Sequence, residues 1–333
     1  MNTPRETHVR ALALALVLAV SALSPTVARA ERFRMGLPTP PSHVWTIEAN
    51  AFASDFERLA QGEHSIAVFP AGQLGNDAQM LQQLQTGALD IAFMPLAELA
   101  NRVPEFGALY APYLADDVEG AARILRSQEA RSLLDQLPAR LGIVGVGYAL
   151  GGMRQIVARR SVRSAEGLRG LKLRITPLEP IQDFYTLLGV APIPLPIGSV
   201  YDALANGQID AIDIDMENAL KQSYYALGET LILSNHMMFP MVGLISGPRW
   251  RSMNPELREM ISEQMQQHLE IIASTYVEAE VEYEAGLRET GIEVRKVGAD
   301  FFGAAVAAWE EKWLKRAPVL RELRRLAGKA AAE

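Results

Sequence analysis

Leu84-Gln85-Thr86-Gly87-Ala88-Leu89-Asp90 and Leu204-Ala205-Asn206-Gly207-Gln208-Ile209-Asp210 decide the fold. They share Leu, Gly, an aliphatic residue and Asp at identical spacing, and each reads as a helix ended by glycine and turned straight into a buried strand. Such junctions occur throughout α/β proteins, so the echo takes its meaning from what flanks each copy. Around the first copy, strand patterns at 32–37, 65–69 and 89–94 alternate with helical ones at 43–60 and 77–85. Around the second, strands at 142–148, 171–175, 191–195 and 209–214 alternate with helices at 181–188 and 199–205. Alternation of this kind specifies helices layered on a mostly parallel sheet, built twice. Ligands in open α/β sheets sit beyond the carboxyl ends of strands, so Phe93-Met94-Pro95 and Asp213-Ile214-Asp215 are expected to approach a shared cleft.

Further out, Asn254-Pro255 is a cap followed by a first-turn proline, and it opens a helical run that nothing interrupts before Gly291. Met260, Ile261, Met265, Leu269, Ile272, Tyr276, Val277 and Val281 recur at three- and four-residue spacing, which predicts one apolar face along its whole length. At 1.5 Å per residue the helix is roughly 50 Å long and is expected to span both halves. An edge strand at 292–297 and a closing helix over 305–326 follow, its Lys and Arg residues read as a solvated face.

At the other end, Arg5 and Arg10 precede an apolar run at 11–22, and Ala28-Arg29-Ala30 forms a cleavage pattern before Glu31. The expectation is a signal peptide over 1–30 and an exported mature chain. The apolar run is too short for the roughly 20 residues that span a bilayer. Losing Arg5, Arg10 and Arg29 against Glu6 takes the net charge from −7 to −9, which argues against nucleic acid or anionic lipid as partner. With no cysteine in 333 residues, disulfides, thiolate metal sites and cysteine nucleophiles are excluded. About 300 mature residues usually divide into two domains.

Catalytic constellations are missing. His8, His43, His64, His236 and His268 follow no metal-ligand spacing, and there is no G-x-S-x-G elbow. The glycines at 145, 147, 151 and 152 are misspaced for a dinucleotide loop and are read as letting backbone pass at a lobe junction. No cofactor or metal is expected. The arginines stand out: Arg154 and Arg174 lie in or at the end of apolar blocks, where an unpartnered charge is costly. A guanidinium holds a carboxylate through two parallel bonds, so a strand-end arginine in a cleft suits an organic acid. Pairing with Glu179 or Asp183 is the structural alternative for Arg174.

Pro70-Ala-Gly-Gln-Leu-Gly75-Asn-Asp77, Gln85-Thr-Gly-Ala-Leu-Asp90, Val103-Pro-Glu-Phe106, Gly152-Met-Arg154-Gln, Gly170-Leu-Lys-Leu-Arg174, Val200-Tyr201-Asp-Ala-Leu204 with Gly207-Gln-Ile-Asp210, and Ser234-Asn-His236 occur in order along the chain. In order and spacing this set resembles the solute receptors of TRAP (tripartite ATP-independent periplasmic) transporters over essentially the whole mature chain. The resemblance implies a two-lobed, type II-like periplasmic α/β fold with crossing hinge strands and a long bracing helix. The lobes would be 31–151 with about 240–279, and 152–239 with about 280–329. It also implies that Arg174 forms the main salt bridge to a ligand carboxylate, that Arg154 assists, and that Asp77 helps hold polar ligand groups. A TRAP permease in the membrane would be the partner, with no insertion of the mature chain itself. His43, Met94, Tyr148, Ile197 and Phe239 complete the expected ligand contacts, and Met153, Leu178 and Met216 are further lining candidates.

Two departures matter. Ser199 stands where the family usually has Glu before Val-Tyr, and Asp213-Ile214-Asp215 stands in gapless register where it has Glu-Asn-Pro. The usual carboxamide beside the arginine is then absent. Asp213 and Asp215 are left to satisfy an arginine, to accept from a ligand hydroxyl or amine, or to cap the next helix. A four-residue deletion would instead align Glu217-Asn218. An exported ligand sensor and an exported enzyme are the rival readings, the enzyme weakened by the lack of a nucleophile-base pair.

Overall fold

The computed structural model describes residues 31–329; the expected signal segment at 1–30 lies outside the described residues. Ten strands form one connected network: β1 (Glu31–Gly36), β2 (His64–Phe69), β3 (Ile91–Pro95), β4 (Ile143–Ala158), β5 (Lys172–Ile175), β6 (Ala191–Pro194), β7 (Ala211–Asp215), β8 (Thr230–Leu233), β9 (Met238–Ser246) and β10 (Glu293–Lys296). Along it the order is β2-β1-β3-β9-β4-β7-β5-β6, with β8 joining β4 to β10. The pairs β1–β2, β1–β3, β5–β6 and β5–β7 are parallel, as the alternating pattern requires. The two heptapeptides enter β3 and β7, each through a left-handed glycine, Gly87 (φ 82°) and Gly207 (φ 70°).

β4 joins the halves. Where a strand at 142–148 and a separate crossover were expected, one 16-residue strand runs through both. Its first part pairs antiparallel with β9, and its last part pairs with β7 and β8. The register shifts between Leu150 and Met153, and there Gly152 adopts φ +75°, a conformation that L side chains resist. At neighbouring Gly151 a Cβ would lie 2.8 Å from the Trp45 ring, so the backbone passes where no side chain fits. Gly151 and Gly152 thus lie where β4 changes partners, while Gly145 and Gly147 sit earlier, within its pairing to β9.

The helices that bear on the site are α1 (Val44–Leu59), α2 (Asp77–Thr86), α3 (Ala97–Arg102), α4 (Glu179–Leu187), α5 (Val200–Ala205), α6 (Met216–Lys221), α7 (Pro255–Glu289), α8 (Ala305–Arg316) and α9 (Leu320–Leu326). α7 is the long helix, 35 residues capped by Asn254, and it packs on β4, on α1 of the first half and on α6 of the second. Its apolar face is shorter than expected. Leu257 through Tyr276 are buried along one side, but Val281 is 75% exposed and Val277 also faces solvent. Past Tyr276 the helix turns Glu280 and Leu287 toward the junction and the second half instead. The closing helix differs too. It breaks at Pro318 into α8 and α9, and Arg324, expected to be solvated, is buried in an ion pair with Glu310 (2.7 Å) and bonded to the carbonyls of Pro112 and Tyr113. Among the described residues no helix is long and apolar enough to cross a membrane.

Candidate functional site

A cleft opens where β3, β5 and β7 end beside the middle of β4, with about 530 Å³ of space between its walls, open mouth included. Pro38, Pro95, Pro177 and Pro196 form stiff parts of its lining, and Trp45, Ile197 and Phe239 give it apolar surface. The polar lining comes from Thr39, His43, Asp77, Arg154, Arg174, Thr176, Asp215 and Asn218.

Arg174 ends up in an unusual position for a charge. Lying on β5 between buried Leu173 and Ile175, it is itself 2% exposed. Its Nε donates to the Leu195 carbonyl (2.9 Å) and Nη1 to the Asp213 carbonyl (3.2 Å). No carboxylate among the described residues lies within salt-bridge distance. Glu179 pairs with Arg316 and Asp183 with Lys312, so neither suggested structural partner serves Arg174. Burial, with the Arg154 charge beside it, lowers the Arg174 pKa to about 10. A buried guanidinium fixed by two neutral carbonyls in the lining of a cleft is arranged to receive an anion.

Arg154 is the opposite case. Nε and Nη2 bond Asp213, Nε at 2.6 Å, Nη1 lies 3.3 Å from Asp215, and the guanidinium stacks 4.4 Å over the Phe239 ring. Asp213 is fully buried behind the cleft wall, not on it. Its second oxygen accepts from the Tyr185 hydroxyl (2.8 Å) and lies 3.1 Å from His236 Nε2, whose ring bonds Ser234 through Nδ1 (2.8 Å). Burial alone would raise the Asp213 carboxyl, but Arg154 and His236 outweigh it and hold the group well below the usual carboxylate range. Asp215 reaches the cleft and also caps α6, accepting from Asn218 N (2.8 Å). Neutralising the arginine and capping the helix therefore hold together, and the capping carboxylate is buried, not solvated as a simple cap would be.

Asp77 opens α2 behind the Asn76–Gln79 capping box. Its Oδ1 is shut away from water without a hydrogen-bond partner. Burial, reinforced by Glu98 and opposed by Arg174, raises its pKa to about 7. His43 caps α1 through Nδ1, which accepts from Trp45 N (3.2 Å), and burial lowers its pKa despite Glu217 nearby.

Of the expected contacts, Arg174, Arg154, Asp77, Asp215, His43, Ile197 and Phe239 line this cleft. Met94 and Tyr148 do not. Side chains alternate along a strand, so Pro95 faces the cleft while Met94 turns into the core at 0% exposure. Tyr148 precedes Arg154 by six strand residues, about 20 Å of rise, and its hydroxyl donates to the Ala130 carbonyl (2.9 Å) beside a separate cavity under α7. Met153, Leu178 and Met216 are likewise core residues. Asn218 was missed as a cleft residue under the gapless register; it brings a carboxamide to the wall one helical turn after Asp215, and the Glu217-Asn218 pair carried the available signal.

The chain matches the family of bacterial extracellular solute-binding proteins, family 7, over residues 35–317. It belongs to that family. The receptor is 26% identical over 278 residues to the sialic acid-binding periplasmic protein SiaP of Vibrio cholerae, covering 84% of this chain and 86% of the relative. To the C4-dicarboxylate-binding protein DctB of Bacillus subtilis it is 26% identical over 285 residues, covering 85% and 79%. The sugar acid binding protein of Advenella mimigardefordensis, solved with galactonate, superposes with a TM-score of 0.84 at 23% identity, covering 89% of this chain and 97% of that one. The two-lobed TRAP-receptor fold and a binding role without catalysis follow from this membership.

Proposed function

We propose that the receptor captures a small organic acid in the periplasm by its carboxylate, closes its lobes around it, and presents it to a TRAP permease. The buried Arg174 guanidinium without an acid partner carries this reading. A ligand carboxylate there would replace the missing counter-charge and offset the desolvation that now depresses the Arg174 pKa. Asp77 sits across the same cleft with an unpartnered oxygen, so a ligand that also carries a hydroxyl or amino donor fits both ends. Export through cleavage before Glu31 accords with the extracellular family.

The lobes are 31–151 with about 240–279, and 152–239 with about 280–329, meeting where β4 changes partners. The C-terminal helices bridge this division: Trp309 Nε1 on α8 donates to the Pro180 carbonyl (2.7 Å), while α9 holds Pro112 and Tyr113 through Arg324. Closure selects ligand by favouring the state in which both walls touch it. A thermal-shift screen of sugar acids, sialic acid and C4-dicarboxylates tests the reading. An acid at a thousandfold its Kd adds about 4 kcal/mol to stability, and a panel without any shift refutes it.

A further inference from the structure

The second-lobe helix α6 carries one carboxylate, Glu217, that lies outside the lining of the cleft. Glu217 has a side chain with 0% exposure, yet its two oxygens are surrounded by donors. Oε1 accepts from Val44 N (2.9 Å) and Lys221 Nζ (2.8 Å), and Oε2 accepts from the Tyr276 hydroxyl and lies 3.4 Å from His43 Nε2. The His43 Nδ1 accepts the Trp45 amide, and its Nε2 lies between Glu217 Oε2 (3.4 Å) and Asn218 Nδ2 (3.3 Å). Lys221 adds a bond to the Ser42 carbonyl (3.1 Å). Ser42, His43 and Val44 begin α1 on the first lobe, while Glu217 and Lys221 belong to α6 on the second.

We propose that Glu217 is a positioning residue for closure: it latches the start of α1 to α6, holds the cleft walls together, and thereby sets ligand affinity without touching ligand. The proposal rests on the reading that the cleft closes around an acid. The partners suit a latch. A carboxylate at the N-terminus of the 16-residue α1 meets free amides and the positive end of the helix dipole, and burial keeps water from replacing either. Opening the cleft strips Val44, His43 and Ser42 from the α6 side. The mouth has a second cross-lobe contact, where Asn101 on α3 donates to the Pro177 carbonyl (2.9 Å) and accepts from Glu179 N (3.2 Å). That one is exposed, so the buried Glu217 cluster carries more of the closure free energy. Asp215 and Lys221 are the other charged groups facing His43, and Tyr276 and Val44 complete the surroundings of Glu217.

The chain has no cysteine, so spin labels on Gln82→Cys and Gln208→Cys, exposed positions on the two lobes, report the interlobe distance. In the full mature chain without ligand, Glu217→Gln is expected to lower the closed-to-open ratio at least tenfold, with a smaller shift in the same direction for Lys221→Met. The glutamine keeps size but loses the charge facing α1 and Lys221. Should Glu217→Gln not fold, Lys221→Met carries the test alone. Distance distributions identical to the parent's overturn the latch if D-galactonate, N-acetylneuraminate or succinate still shortens the parent's distance. If none of those acids moves the parent, the closure reading fails with it.

Discussion

Replacing Asp213 by Asn probes the network behind the cleft. The carboxylate takes Arg154 Nε and Nη2 on one side and Tyr185 and His236 on the other, all at 0% exposure on its own side chain. A carboxamide of the same shape leaves Arg154 buried with only Asp215, 3.3 Å from Nη1, as counter-charge. Removing one partner of a buried pair costs about 3–5 kcal/mol, a large share of the roughly 5–15 kcal/mol that holds a protein folded. For lobes of this size that is a fall in Tm of about 6–20 °C. The pH dependence follows from the depressed pKa. Its contribution is present in full above the unfolded carboxylate value near 4 and is lost as pH falls toward the folded value. Melts of parent and Asp213→Asn from pH 3 to 8 should therefore run a constant distance apart above about pH 5 and converge below about pH 4. A cost under about 1 kcal/mol at pH 7, or a gap that widens in acid, would refute the argument that Asp213 is an ionised anchor for Arg154.

Asp215→Ala should cost at least about 1 kcal/mol, the cap of α6 being lost together with a buried partner of Arg154, and should also weaken binding; calorimetry showing affinity equal to the parent's would make the residue structural only. Asp77 has the opposite sign to Asp213: its raised pKa means that stability is greatest below about pH 4, falls as pH rises from there to about 7, and levels off above. Asp77→Asn should flatten that fall, leaving the variant about 1–2 kcal/mol more stable than the parent at pH 8 after discounting for partial exposure. Parallel melting curves across that range would remove Asp77 from the buried wall.

Strand and helix order around the two heptapeptides was legible because period-two and period-3.6 patterns are local, and so was the long helix, whose cap and first-turn proline are adjacent in sequence; β8 and β9 were not read from such patterns. What lay between Leu150 and Met153 was not: a bulged strand that changes partners is set by β7, β8 and β9, all more than fifty residues downstream. The same limit divides the site. Arg174 could be picked out because Leu173 and Ile175 flank a charge, an anomaly visible in three residues. The division of labour between the arginines could not, because Arg154 is satisfied by Asp213 and Asp215 from a distant strand while the carboxylates that follow Arg174 in sequence, Glu179 and Asp183, turn outward to Arg316 and Lys312. Met94 was misplaced for want of a strand phase, since one residue of offset moves a side chain to the other face, and Tyr148 because β4 runs on past the cleft as one long strand. The latch role of Glu217 could not be read locally, because only Lys221 among its donors is near in sequence, while Tyr276 and Val44 come from segments 59 and 173 residues away.

Calorimetric titration of Arg174→Lys with the acid that most stabilises the parent tests the central claim most directly. Lysine keeps the charge but has no fork, and Arg174 has no acid partner whose loss would unfold the lobe. Binding about 10- to 100-fold weaker, with a melting temperature close to the parent's, is the predicted result. An unchanged Kd would contradict it and remove Arg174 from the ligand carboxylate.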